Sequence, residues 1–458
     1  MSRVHSINVD HTSFAHVRRQ ASAGQGGFHV GGLLRRPWAT VLHAEPGYDA
    51  FTGCDVLYVY DCGSEPKRHV QHEIRTLLAT QPDRHLDILA LSHFDRDHIC
   101  GVPHLLDAKI GFKTVDTVLL PYVDDAERLI AMGKAVAGIE THGGRIPSFF
   151  TEMVIDPVRA LGDLGLRRIV LVRGEDDGGP DGLPAVVPEE GPHRDPDWLS
   201  GRGEAGVTWR PKQARGDRPW MFTEPFATPG LQLIWASNVM LVGANADGSL
   251  MWKLRPYTRP AKLAEIAQFK AAVEGLFGWL AGTFDPQVKS TTVRRQMVTS
   301  HRTKLATAYQ AAFKDKNLTS MSLYSGPLEP ATFNALSLAP GLPAHDLTKV
   351  GWLGTGDAHL NLPPDRQAFV AAYAADLPVT STFVFPHHGS IENTDPADLV
   401  SEADEWVAAA DPIHDWEHPH WRLHAAVSAK GARFRHVRAA AATAFEEVFL
   451  LTPVAGPK

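Results

Sequence analysis

The sequence has little cysteine, no long apolar run and no excess of positive charge. Its cysteines are Cys54, Cys62 and Cys100, three in 458 residues. An odd, low count without a CxxC pair argues against a disulfide framework and a structural zinc knuckle. No stretch approaches ~18 consecutive apolar residues, so no membrane span is expected. The opening "MSRVHSINVDHTSF" has no apolar h-region, so no signal peptide is expected and the expected compartment is the cytoplasm. Lys and Arg number 45 against 52 Asp and Glu, a net charge of −7. No global basic field draws the chain to nucleic acid or anionic lipid. A nucleic-acid substrate needs a local basic patch, for which "KGARFRHVR" (Lys430 to Arg438) is the best candidate. Such a run is ordinarily a solvated helix face.

What is present is globular. The chain is 44% hydrophobic and 21% charged, enough to bury an ordinary core. Its length suits one large domain with insertions, or two domains. "VLYVYDCGS" reads as a strand ending in a turn, "RHVQHEIRTLLAT" as an amphipathic helix and "LDILALS" as a second strand, the grammar of α/β layers. Residues 140–230 are rich in Gly, Pro and charge and read as a long, partly irregular insertion. "LQLIWASNVMLVGAN" restores the strand pattern, "AKLAEIAQFKAAVEGLFGWLAG" has helical spacing, and Lys304 to Phe313 is a second helix. Three strand-like pieces follow: "SMSLYSG", "KVGWLGTGD" and "TSTFVFPHHGS". No repeat of fixed period is found.

The chemistry concentrates in "ALSHFDRDHICGV", from Ala90 to Val102. Directly after a strand, His-x-Asp-x-Asp-His forms a tight loop leading into a helix. Alternate side chains of an extended segment point the same way, so His93, Asp95 and Asp97 converge and His98 joins from the helix start. Two imidazoles and two carboxylates suit Zn²⁺, Mn²⁺ or Fe²⁺, without the thiolate of a purely structural zinc site. The competing reading is a polar turn. Four potential ligands in six positions after a buried strand favour the metal.

"SHFDRDH" resembles the HxDxDH signature of the metallo-β-lactamase fold superfamily. "GWLGTGDAH" looks like that family's later strand end carrying a bridging aspartate, Asp357. "FVFPHHGS" looks like its "HHGS" strand end, supplying His387 or His388. The finer pattern resembles the ComEC-like, competence-type hydrolases: "GQGG" (Gly24 to Gly27), "YDCGS" (Tyr60 to Ser64), "NLTSMSL" from Asn317, and "EHPH" with His418. These landmarks run in family order over residues ~24 to ~420. The usual "GDS" reads "GGF" here. Asn317 stands where many members carry a third histidine for the first metal, with His301, His142 and His359 as substitutes.

The resemblance implies an αββα sandwich of two mixed sheets, residues 1–458 forming one domain around the 140–230 insertion. It implies two divalent ions, Zn²⁺ or Mn²⁺. His93, Asp95 and Asp357 would serve one; Asp97, His98, Asp357 and His387 the other. His387 is favoured over His388 because it follows the apolar strand directly. Asp97 would orient a bridging hydroxide and His388 protonate the leaving group. Asn317, Ser320 and His418 are the substrate contacts it suggests, although a surface histidine is the blander reading of His418. Asp61 reads as structural, His104 as a plain helix residue and Cys100 as a buried small hydrophobe. The implied function is a dinuclear hydrolase of a phosphodiester, in a nucleotide or nucleic acid. The alternatives are an ester, thioester or lactone hydrolase, or a regulatory scaffold with a degenerate site. No protein partner is indicated.

Overall fold

The structure, a computed structural model, describes residues 14–34, 50–142, 145–164, 166, 168–174, 207–210, 231–235, 239–244, 251–259, 263–313, 319–328, 333–337, 346–347, 349–411 and 417–453. Its strands are β1 (Phe14–Gln20), β2 (His29–Leu34), β3 (Val56–Tyr60), β4 (His85–Ala90), β5 (Thr114–Pro121), β6 (Ile169–Arg173), β7 (Val207–Arg210), β8 (Leu231–Trp235) and β9 (Val239–Ala244). The second half adds β10 (Met251–Thr258), β11 (Met321–Pro327), β12 (Phe333–Ser337), β13 (Asp346–Leu347), β14 (Gly351–Gly354), β15 (Thr380–Val384), β16 (Glu405–Ala409), β17 (Arg433–Val437) and β18 (Phe445–Pro453).

Among the described residues these strands form two mixed sheets. One runs β13-β12-β18-β1-β2-β3-β4-β5-β6-β8, the other β17-β16-β15-β14-β11-β10-β9-β7. From β3 to β8 the first sheet is parallel, and from β14 to β17 the second is parallel. Their other pairings are antiparallel hairpins and returns.

The layers follow from side-chain alternation. In β3, Val56, Tyr58 and Tyr60 face the second sheet, while Leu57 and Val59 face helices. A strand of period 2 buried on both faces reads as a continuous apolar run, as "VLYVY" does. Between the sheets, Tyr58, Ile88 and Leu119 meet Trp252, Leu323 and Trp352. Burying one such tryptophan is worth about 4–6 kcal/mol by transfer area. Outside the first sheet pack the helices Arg68–Ala79, Asp125–His142, Leu263–Phe277 and Arg302–Ala312. The first buries Val70, Ile74, Leu77 and Leu78, an i, i+4, i+7, i+8 stripe. Outside the second sheet, Phe369 of Pro363–Ala372 and Leu423 and Val427 of Trp421–Ala429 close a third apolar layer on Phe383 and Trp406. The architecture is the expected four-layer αββα sandwich.

Residues 140–230 hold more regular structure than their composition suggests. Their described part contains helices Ser148–Ile155 and Pro157–Gly162, β6 in the first sheet and β7 in the second. "IVLVR" is a buried strand inside a polar stretch, too short to dominate the composition around it. The most Gly/Pro-rich pieces, 175–206 and 211–230, lie outside the described residues. Among the described residues no helix is long and apolar enough to cross a membrane.

Candidate metal centre

The carboxyl ends of parallel strands from both sheets meet at one edge. β3 leads to Asp61, β4 to the His93–His98 loop, β14 to Asp357, and β15 to His387 and His388. Such an edge is where α/β sheets ordinarily place ligands. Backbone ties weld the loops together. Asp61 N–H donates to Ala90 O, Cys62 N–H to His98 O, Met321 N–H to Ser92 O, and His387 N–H to Gly356 O.

Gly356 is required by this turn. Its φ is +53°, and a Cβ there would lie 2.3 Å from Ser320 Oγ and 2.7 Å from Ser92 Cβ. The same Ser320 hydroxyl accepts the Asp357 N–H at 2.9 Å. Ser320, expected as a substrate contact, therefore holds the aspartate's backbone in place.

Two overlapping ligand groups result. His93, His98 and Asp357 present ligand atoms within 4.8 Å of one another, and so do Asp97, His98 and His388. Asp357 lies 3.3 Å from His93 Nε2 through Oδ2 and 3.6 Å from His98 Nε2 through Oδ1. One aspartate thus touches both imidazoles with different oxygens, as a bridging ligand does.

The outer hydrogen bonds fix the tautomers. Ser92 N–H and Ser92 Oγ–H both donate to Asp61, at 2.7 and 2.9 Å. With its proton committed, Ser92 Oγ accepts from His93 Nδ1–H at 2.8 Å. His98 Nδ1–H donates to Asp61 Oδ2 at 2.8 Å. His388 Nδ1–H donates to Ala409 O at 2.9 Å. All three rings therefore turn Nε2 inward, and the buried Nε2 atoms of His93 and His98 make no hydrogen bond. Rings oriented by carboxylate, hydroxyl and carbonyl partners, with the Nε2 atoms of His93 and His98 bare and that of His388 against Asp97, fit a divalent cation.

The electrostatics agree. Burial raises the Asp97 carboxyl, but His98 and His388 overcome it and hold it far below the usual range. Burial raises Asp357 too, and His93, His387 and His98 pull it well below. Burial lowers His98, while Asp61 and Asp97 raise it to about 10. With no ion, an imidazolium neutralises these carboxylates; a divalent ion supplies the same charge without the proton.

His387, favoured as the ligand from sequence, and His388 take different places. Both sit in the left-handed region, φ +49° and +59°, and this turn sends His388 into the cluster. His388 Nε2 is 2.9 Å from Asp97 Oδ2. His387 stays at the mouth, 36% exposed, with Nε2 3.9 Å from Asp357 Oδ2. Two consecutive left-handed residues other than glycine are costly, and such strain clusters at functional sites. The Asn393 amide donates to Asp357 O and Ala358 O, so its Oδ1 accepts from His387 Nδ1–H at 2.9 Å.

Asp95, expected as a ligand, accepts from Lys134 Nζ at 2.6 Å through the oxygen that lies 3.7 Å from His93 Nε2. Burial opposes the lysine's charge, but Asp95 and Asp357 raise its pKa above the ordinary value. His418 reaches the mouth, its ring 5.2 Å from that of His387, with its pKa lowered to about 3 by burial and by His387 and His388. Asn317 lies outside the described residues, and so does the side chain of His142. His301 packs edge-on against Phe277. Cys100 is buried as expected. His85, Asp87 and Asp116 form a further group at the opposite end of β4, half-buried.

Sequence reasoning missed Lys134 and the ring-orienting role of Asp61. "YDCGS" signalled Asp61. Nothing local signals Lys134, which helix packing delivers. No protein-family model matches the chain, and no curated protein matches it.

Proposed function

We propose that the chain is a metal-dependent hydrolase of phosphodiester bonds. The carrying observation is the pair of ligand groups that share His98, one with His93 and Asp357 and the other with Asp97 and His388. The resemblance of "SHFDRDH", "GTGD" and "HHGS" to competence-type metallo-β-lactamase fold hydrolases supports the reaction class. Zn²⁺ or Mn²⁺ suits the nitrogen and oxygen donors. Asp97, His98, Asp357 and His388 would hold such an ion, which would supply Lewis acidity toward a phosphoryl oxygen and a water of lowered pKa.

The chain's own residues do the rest. Asp97 orients the attacking water through the carboxylate oxygen that also faces His388. His387, at the mouth with Nδ1–H held by Asn393 and its pKa lowered chiefly by burial, presents Nε2 as a proton acceptor: it takes a proton from the attacking water and returns it to the leaving group. This exchanges the roles expected of the two histidines. His418 beside it lines the approach.

A nucleotide-sized substrate fits better than a long nucleic acid. The best basic run, "KGARFRHVR", lies largely on β17, and its Arg433 and Arg435 are paired with Glu405. The test is a panel of bis-p-nitrophenyl phosphate, p-nitrophenyl acetate and a lactone, each with and without Mn²⁺ or Zn²⁺. Metal-dependent turnover of the first alone is the expected result. Turnover of the ester or lactone alone would replace this reading with a carboxylic-ester hydrolase on the same site.

A further inference from the structure

We propose that Lys134 fills the first cation position of the site, so that the centre holds one tightly bound divalent ion, on Asp97, His98, Asp357 and His388. The inference rests on the metal reading above and sets the number of ions.

Asp95 Oδ2 lies 3.7 Å from His93 Nε2 and would be the first ion's second carboxylate donor, beside Asp357. The same atom accepts a hydrogen bond from Lys134 Nζ at 2.6 Å. An ammonium has three donors and no lone pair, so it cannot be a ligand. It also repels a divalent ion drawn to the same oxygen.

The Lys134 side chain is partly exposed, but the backbone that carries it is fixed. It lies on the helix Asp125–His142, next to Gly133. There a Cβ would lie 2.6 Å from the Leu305 carbonyl, so the glycine lets the helix Arg302–Ala312 close on it. The start of the helix is pinned reciprocally: Asp124 N–H donates to Glu127 Oε2 at 2.9 Å and Glu127 N–H to Asp124 Oδ1 at 2.8 Å. The Thr319 hydroxyl donates to Glu127 as well. Lys134, Ile130, Phe94 and Val123 wall a small cavity against His93 and Asp95. The ammonium is thus delivered to Asp95 by a packed helix.

The other half of the site keeps its donors. Asp97, His98 and His388 converge without a lysine, and Asp357 Oδ1 lies 3.6 Å from the His98 Nε2 of that group. One half is built for an ion; the other carries its own cation.

The test is isothermal titration of the full, metal-stripped chain with Mn²⁺ and with Zn²⁺, and elemental analysis after dialysis. Far-UV circular dichroism checks that each variant is folded. The expected result is one ion per unaltered chain and a second, weaker equivalent in Lys134→Met. Asp95→Asn should keep the single ion with affinity changed by less than about threefold, because Asp95 serves the lysine rather than the ion. Two tight ions in the unaltered chain, or loss of an ion in folded Asp95→Asn, overturn the assignment while leaving the hydrolase reading standing. No ion in the unaltered chain overturns the metal reading and the assignment with it.

Discussion

At the scale of single residues, the site depends on which atoms face the His/Asp cluster and what holds them there. Asp97 sits at the rim of the core, paired with His388, so removing it takes a ligand without opening a cavity. Asp97→Ala should therefore lose metal and lower turnover by more than about 100-fold, with its circular dichroism spectrum unchanged. Unchanged turnover in the folded variant would sink the ligand assignment. Asp61 touches no ion site directly, yet it receives the His98 Nδ1–H and the Ser92 hydroxyl. Asp61→Ala frees both rings to rotate. Metal affinity should fall about 10–100-fold, the usual effect of losing an orienting partner. A titration showing equal affinity would contradict the tautomer argument.

At the scale of elements, the site is made by strand ends and tight turns. Gly356→Ala places a Cβ against Ser320 and Ser92 in a backbone region that alanine resists. It should cost about 1–3 kcal/mol of stability and displace Asp357, read as a lower urea midpoint together with weaker metal binding. The opposite end of β4 offers a pH test remote from the centre. Hydrogen bonds donated by the His85 ring to Asp116 and Asp87 raise its pKa from 6.5 to about 9 against the cost of burial. A raised histidine stabilises the fold fully below 6.5 and loses that contribution as pH rises through 9. His85→Gln should destabilise by about 1–2 kcal/mol at pH 6, after discounting for solvent screening, and by much less near pH 9.5. A pH-independent difference would show that the aspartates do not hold its proton.

Much of this level is legible in the sequence, because strands buried on both faces are unbroken apolar runs and turns carry glycine. "VLYVY", "LDILAL" and the stripe of the helix after Arg68 announce themselves. Ligands close in sequence, His93 through His98, are visible for the same reason. The choice between His387 and His388 is not, since it depends on two left-handed residues that no spacing rule foresees. Lys134 is invisible because its place is set by helix packing across 39 residues.

At the scale of the whole molecule, two sheets must be packed before the site exists. Asp61 and the His93–His98 loop belong to one sheet's edge, Asp357 and His388 to the other's. An ion held by both edges binds the folded chain and not the unfolded one, so it stabilises by mass action, about 2.7 kcal/mol at a hundredfold excess over Kd. Chelation should lower Tm by a few degrees, and Mn²⁺ or Zn²⁺ should restore it, as differential scanning calorimetry would record. The four layers follow from alternating strands and amphipathic helices, whereas the strands hidden in residues 140–230 are masked by the Gly, Pro and charge around them.

The central claim is that this edge holds a catalytic divalent ion. The most direct measurement is elemental analysis of the chain purified without chelator, beside its Asp357→Ala variant. The account predicts about one equivalent of a transition metal in the unaltered protein and its loss in the variant. A protein free of transition metal, or a variant that keeps its ion, would contradict it.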